Sequence, residues 1–288
     1  MLRPFRGEVG PAVLVHCGHH KVGTTWFGSV LADVAAHFGF VFQIVPFHRG
    51  TLGSDIAEAP ENKKPEEVRA DVIQFIHARD FDESILGDRR FRGSHLIRDP
   101  RDVAVSGYHY HRWATERWVH TPNAAFRGLS YQQYLNSLPE PEGLLVEIQR
   151  TCATIVRDMS VWDYDREEFL ELRYEDLIKD EDAGFARLFA HYGFKERAIA
   201  SGVEVARRHS FTAKTGRAMG DVGASDHLRS GLPGQWRNEF RDEHVTLFKS
   251  LANDTLIRLG YEEDDTWTFD RGSEGTGFDS TQSSSREN

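Results

Sequence analysis

Cysteine is scarce in this 288-residue chain, which holds only Cys17 and Cys152. Two thiols exclude a disulfide framework, and a reducing, cytoplasmic setting is expected. Long apolar runs are also missing. The stretch Phe38–Phe47 is interrupted by Gln43 and Pro46 and falls well short of the ~20 residues that a membrane span needs. The opening MLRPFRGEVGPAVLVHCGHH has no apolar run of signal-peptide length. No membrane association is expected. Positive charge is not in excess either: 35 Lys and Arg face 45 Asp and Glu, for a net −10. That balance excludes a generally basic nucleic-acid binder and argues against polyanionic partners. The acidity is uneven, because residues 262–288 hold eight acids and two bases, a net −6. The body of the chain is therefore close to neutral.

What is present is an alternation of strands and helices. Ala12–Cys17 (AVLVHC) is a short apolar run ending at Gly18, and it reads as a buried strand. Trp26, Phe27, Val30, Leu31, Val34 and Phe38 recur at helical spacing until Gly39. Further strands are expected at Phe40–Val45, Val72–Ile76, Phe91–Ile97 and Phe169–Leu172. Helices are expected from Pro100 to about Trp113, over 130–162, and near 182–192, 198–209 and 242–259. This alternation predicts an α/β fold, a P-loop-like three-layer sandwich with a central parallel sheet flanked by helices. Residues 1–270 read as a single domain. Residues 46–70, rich in Pro, Gly and charge, read as a long loop, and the low-complexity segment 271–288 as a disordered tail.

Three segments carry chemistry. After the first strand comes Gly18-His19-His20-Lys21-Val22-Gly23-Thr24-Thr25-Trp26, with the glycine spacing of a P-loop. Backbone N–H groups at such a turn, with the positive end of the following helix, favour phosphate. The lysine lies inside the loop, at Lys21, and no strand-end carboxylate for Mg²⁺ is evident, so no metal is expected. A glycine turn with a surface lysine would look the same. His95 to Ser106 reads as a strand end, an Asp99 cap with Pro100, and a helix. Arg98 at that strand end suits a phosphate bidentately, and Ser106 adds a hydroxyl; a simple Arg98–Asp102 pair is the plainer reading. Leu228 to Arg237 is glycine-rich and basic within an acidic chain.

Lys21 with Gly23-Thr24-Thr25-Trp26, then Arg98 through Ser106, then Arg229-Ser230-Gly231 through Trp236, resemble in order the nucleotide-binding segments of the soluble sulfotransferases. Leu172-Arg173-Tyr174-Glu175-Asp176-Leu177 resembles a further strand end of that family. The resemblance spans about residues 12–240. It implies transfer of a sulfuryl group from 3′-phosphoadenosine 5′-phosphosulfate (PAPS) to a hydroxyl or amine of a small molecule. It implies that the first loop with Thr24 and Thr25 holds the 5′-phosphate, that Arg98, Ser106 and Arg229–Gly231 hold the 3′-phosphate, and that Trp26, Tyr174 and Phe211 border the adenine. Lys21 would neutralise the leaving oxygen. His77, 21 residues before Arg98, stands where the family has its general base. His19, His20, His48, His109 and His111 also fall near the expected cleft.

Three departures stand out. Val22 replaces a small polar residue, Ser230 replaces a common lysine, and no C-terminal dimer signature follows Trp236. The oligomeric state is left open. Phe42, Phe47, Tyr108, Tyr110, Trp113 and Trp118 are expected to line an apolar or phenolic acceptor pocket. Two other readings remain at this point: a P-loop small-molecule kinase, and a catalytically silent nucleotide-binding protein on the same fold.

Overall fold

The structure is a computed structural model and describes residues 9–10, 12–45, 69–221 and 229–269. Five strands form its sheet: β1 (Val13–Cys17), β2 (Phe42–Val45), β3 (Val72–Phe75), β4 (Phe91–Ile97) and β5 (Phe169–Arg173). Their order is β2-β3-β1-β4-β5, and every pairing is parallel. The helices are α1 (Thr24–Phe38), α2 (Pro100–His111), α3 (Arg117–His120), α4 (Tyr131–Ser137), α5 (Glu140–Thr151), α6 (Arg157–Val161), α7 (Tyr174–Lys179), α8 (Glu181–His191), α9 (Glu196–Arg207), α10 (Phe211–Thr215), α11 (Trp236–Glu239) and α12 (Asp242–Arg258).

The strand order places the functional segments. The first connections carry the chain from central β1 out to β2 and back through β3. It then crosses to β4 and β5 on the other side of β1. Such a reversal opens a crevice at the carboxyl ends of the strands. Lys21 follows β1, Ile76 follows β3, Arg98 follows β4 and Tyr174 follows β5, so all four emerge at that one end.

β1 is buried along its whole length, as a central parallel strand requires. One sheet face (Leu14, Val72, Leu96, Leu172) packs with Phe27, Val30, Leu31 and Val34 of α1, and with Phe185, Leu188 and Phe189 of α8. The other face (Val13, Val15, Cys17, Ile73, Phe75) packs with Leu86 and Ala78. Each such fully buried Leu, Val or Phe contributes ~1.5–3 kcal/mol. A further core joins α2, α4, α5 and α12 through Tyr108, Leu135, Ile148, Phe248 and Leu256.

β4 is less apolar than its neighbours yet buried at every position except Arg92. Its polar residues are paired across the sheet: Ser94 Oγ lies 2.8 Å from His16 Nδ1 and 2.8 Å from the Tyr192 hydroxyl. Such pairing is the condition for burying polar groups. The expected helix over 130–162 is instead a series. It breaks between Ser137 and Glu140, where Pro139 cannot extend α4, and passes through a π-helical stretch at Cys152–Val156. The expected loop at 46–70 and tail at 271–288 lie almost wholly outside the described residues.

Candidate active site

The β1–α1 loop is shaped by left-handed backbone at two positions. Gly23, which caps α1, has φ 104°, and a Cβ there would meet Tyr174 Cδ2 at 3.3 Å. Lys21 has φ 66°, a conformation that costs a non-glycine residue about 1–2 kcal/mol. The neighbours hold it there. Val22 is fully buried in the α1 core, and Thr24 Oγ1 donates to the His19 carbonyl at 2.6 Å. Arg98 Nη1 donates to the Lys21 carbonyl at 3.4 Å, and Gln74 Nε2 donates to the Thr24 carbonyl at 2.9 Å. Val22 thus anchors the loop from below.

A cavity of about 590 Å³ opens above this loop. Gly23, Thr24, Thr25, Trp26, Arg98, Ser106, Tyr174, Phe211, Arg229, Ser230 and Gly231 all line it, as does Lys21. The three sequence segments and the β5 end therefore converge on one space.

Arg98 is held but not saturated. Its ion pair with Asp102 is long, 3.7 Å, its bond to the Leu232 carbonyl is 3.4 Å, and its buried Nε has no partner. An unpaired buried donor of this kind calls for an anionic acceptor. The plainer reading, an Arg98–Asp102 pair, is thus also true. Asp102 is fully buried and accepts from Gly234 N at 2.6 Å and Trp236 N at 3.0 Å, which fastens the 229–236 loop over α2. Trp26 likewise keeps a buried, unpartnered indole N–H. Tyr174 donates its hydroxyl to the Gly231 carbonyl at 2.7 Å. A Cβ on Gly231, whose φ is 72°, would strike Phe211 Cδ2 at 2.8 Å. Arg229 has an ion pair with Glu239 at 2.7 Å.

Lys21 Nζ lies 3.8 Å from the centre of the Tyr110 ring. Burial holds its ammonium down to about 7, Arg98 adds to this, and Glu116 and Glu147 oppose it.

His77 follows β3 and is not among the residues lining the cavity, whereas Ile76 and His20 are. Burial, Arg79 and Arg150 hold His77 down to about 3. Two histidine strings surround this point. His20 Nε2 meets His111 Nε2 at 3.1 Å, and His111 Nδ1 meets Glu147 Oε2 at 2.8 Å. His19 Nε2 meets His95 Nε2 at 2.9 Å, and His95 Nδ1 meets Glu171 Oε2 at 2.7 Å. Sequence reasoning named some of these histidines as near the cleft but had no means to pair them. The carboxylates Glu147 and Glu171 carried no local signal at all.

Of the aromatic residues expected around an acceptor, Phe42 and Tyr110 line the cavity. Tyr108 does not. It is 1% exposed and packs in the α2–α5 core, where Trp113 and Trp118 also lean. Phe47 and His48 lie outside the described residues. Among the described residues, no group of three or more His, Cys, Asp or Glu could hold a metal ion, and no helix is long and apolar enough to cross a membrane.

Residues 13–260 match the family described as Sulfotransferase domain. The chain belongs to that family. Among solved structures, it resembles mouse sulfotransferase SULT7A1 complexed with PAP, at 17% identity, covering 86% of this chain and 85% of that one, with a TM-score of 0.47. It also resembles retinol dehydratase in complex with androsterone and the inactive cofactor PAP, at 16% identity, covering 87% and 82%, with a TM-score of 0.51. At 16% identity the second likeness speaks for the fold alone. No curated protein matches the sequence.

Proposed function

We propose that this sulfotransferase-family chain moves the sulfuryl group of PAPS to the hydroxyl of a small apolar or phenolic acceptor. The reading is carried by one observation: eleven residues from five separate segments line one cavity, and Arg98 Nε and Trp26 Nε1 wait there without partners. A purine nucleotide with two phosphate groups would satisfy both. The α1 start with Thr24 and Thr25 would hold the 5′-phosphate. Arg98, Ser106 and Arg229–Gly231 would hold the 3′-phosphate, and Trp26, Tyr174 and Phe211 would border the base.

The transfer is in line and loose, with charge building on the phosphate oxygen that departs. Lys21 neutralises that oxygen, and an anion at this place favours its protonated form. We assign His77 to receive the acceptor's proton, on the family resemblance and on its place beside the cavity wall at Ile76. Phe42, Ile44, Ile76 and Tyr110 give that part of the cavity an apolar lining suited to a phenol or an apolar alcohol.

Melting scans with two ligands test the reading. PAP without metal should raise the melting temperature, and PAPS should then sulfate a member of an acceptor panel. A shift with ATP and Mg²⁺ but none with PAP would replace the reading with a kinase. PAP binding with no turnover of any acceptor would leave a silent nucleotide-binding protein.

A further inference from the structure

His20 sits on the cavity wall immediately before Lys21. Its ring is stacked on that of His111, with centroids 5.2 Å apart and an interplanar angle of 10°. His111 is fully buried and reaches an equally buried Glu147. Glu147 also accepts from the Tyr131 hydroxyl at 2.6 Å and from Thr151 Oγ1 at 3.2 Å, and it pairs with Arg150 at 3.4 Å. Burial pushes the Glu147 carboxyl up, but His111, Arg150 and Tyr131 outweigh it and hold the group below its ordinary value. A carboxylate fixed in this way sets the tautomers of the whole string.

An ionised Glu147 can only accept, so His111 donates from Nδ1 and presents a bare Nε2. His20 must then donate from Nε2 to His111, which leaves His20 Nδ1 as a lone pair. The string is thus a base whose open end belongs to the residue beside the catalytic lysine. The groups facing His20 are His111, Lys21, Arg150 and His77, with the Tyr110 ring 5.7 Å away. Burial and those neighbours keep His20 neutral, as a base must be. His77 faces Arg79 and Arg150, two cations that disfavour a lasting proton there. Burial, Arg150 and Lys21 hold His111 below its ordinary value, but unlike His77 it has a carboxylate, Glu147, in hydrogen-bond contact to share a proton passed to it.

We propose that His20 is a second proton acceptor of the active site, coupled to His77, and that the proton taken from the acceptor hydroxyl settles on His111 against Glu147. The proposal rests on the sulfotransferase reading of the same cavity. As the acceptor oxygen bonds to sulfur, its O–H bond breaks and the proton goes to His20 Nδ1. The bridging S–O bond of the donor breaks, and its electron pair stays on the phosphate oxygen beside Lys21. His20 passes its Nε2 proton to His111 Nε2. His111 and Glu147 act as positioning residues, since they reach the substrate only through His20.

The test has two readings. In protein labelled with ¹⁵N-histidine and saturated with PAP, NMR should show His20 as the Nε2–H tautomer and His111 as the Nδ1–H tautomer. Glu147→Gln should lower the pH at which His111 titrates. A His20 Nδ1–H tautomer would overturn the proposal without any acceptor in hand. With PAPS and p-nitrophenol, or whichever panel member is sulfated, His20→Gln should lower kcat by roughly 10²-fold with the donor KM held within about twofold. His77→Gln in parallel should also slow turnover, and the double variant should cost less than the product of the two. Unchanged kcat in a folded, PAP-binding His20→Gln protein would sink the relay and leave the sulfotransferase reading intact. Failure of the parent protein to bind PAP would instead sink that reading.

Discussion

The two walls of the cavity are built in different ways. The donor wall consists of short contiguous segments at strand ends, with cations and backbone donors aimed inward: Lys21, Arg98, Arg229 and the start of α1. The other wall presents the rings of His20 and Tyr110 with Glu116, backed by His111 and Glu147. The first wall has unpartnered donors, and the second, apart from Glu116 Oε2, has its polar groups paired into strings. The difference suits the chemistry proposed for each. A phosphate brings its own acceptors, so its site must keep donors in reserve. A proton acceptor must be held in one tautomer before the substrate comes, so its partners are built in.

The sharpest way to break this comparison is to remove Lys21, which stands where the walls meet. Lys21→Ala should lower kcat by roughly 10²–10³-fold, the scale seen when one preorganised charge is lost. The α1 core that anchors the loop through Val22 is untouched by the change, so the fold should persist in circular dichroism and melting. Intact turnover in that variant would remove the lysine from the chemistry.

Arg98→Ala comes next and tests the donor wall alone. Loss of charge-assisted bonds costs about 1.5–3 kcal/mol, so PAP affinity measured by calorimetry should fall roughly 10–100-fold. An unchanged affinity would mean that Arg98 serves only Asp102 and the 229–236 loop.

The pH dependence of PAP binding is a milder test. Lys21 is held down to about 7 in the free protein, and a bound phosphate raises it. Binding should therefore take up a proton above about pH 7, and affinity should fall by at most about tenfold per pH unit there. Below that pH it should be flat. Calorimetry in buffers of different ionisation enthalpy reads the proton directly.

The smallest effect is expected at the His19–His95–Glu171 string, which has the same composition as the His20 string. His19 does not line the cavity, and the Glu171 side chain is 30% exposed. Burial raises Glu171 to about 7, with the Trp162 hydrogen bond opposing it. A carboxyl raised by folding stabilises below its unfolded value and loses that stabilisation as pH rises through about 7. Glu171→Gln should thus flatten the decline in melting temperature between about pH 5 and 8 and leave turnover unchanged. A large fall in turnover would show that both strings serve the reaction.

Legibility in the sequence divides along the same line as the walls. The β1–α1 turn, the Asp99–Pro100 cap and the Arg229–Gly231 loop are readable because their sequence signals are local. A strand end, a glycine with positive φ and a helix start lie within ten residues of one another and can be recognised together. The polar character of β4 looked like weakness in the sequence. Its meaning emerges only when Ser94 meets His16 and Tyr192, which are 78 and 98 residues away. Tyr108 and Trp118 were plausible pocket residues by type, and the packing of α2 against α5 turned Tyr108 into core.

The amino-acid sequence by itself determined the parallel α/β architecture, the excess of acid beyond residue 261 and the contiguous segments proposed to hold an anion inside an acidic chain. Hydrophobic period, turn residues and helix caps act over a few residues, and their information is contiguous. Only the tertiary structure decided the strand order that brings four strand ends together, and the pairing of His20 with His111 and of His111 with Glu147. Those contacts bridge 91 and 36 residues. A single buried glutamate on an ordinary amphipathic helix carries no mark of its partner until the helices pack, because burial is what makes its charge consequential.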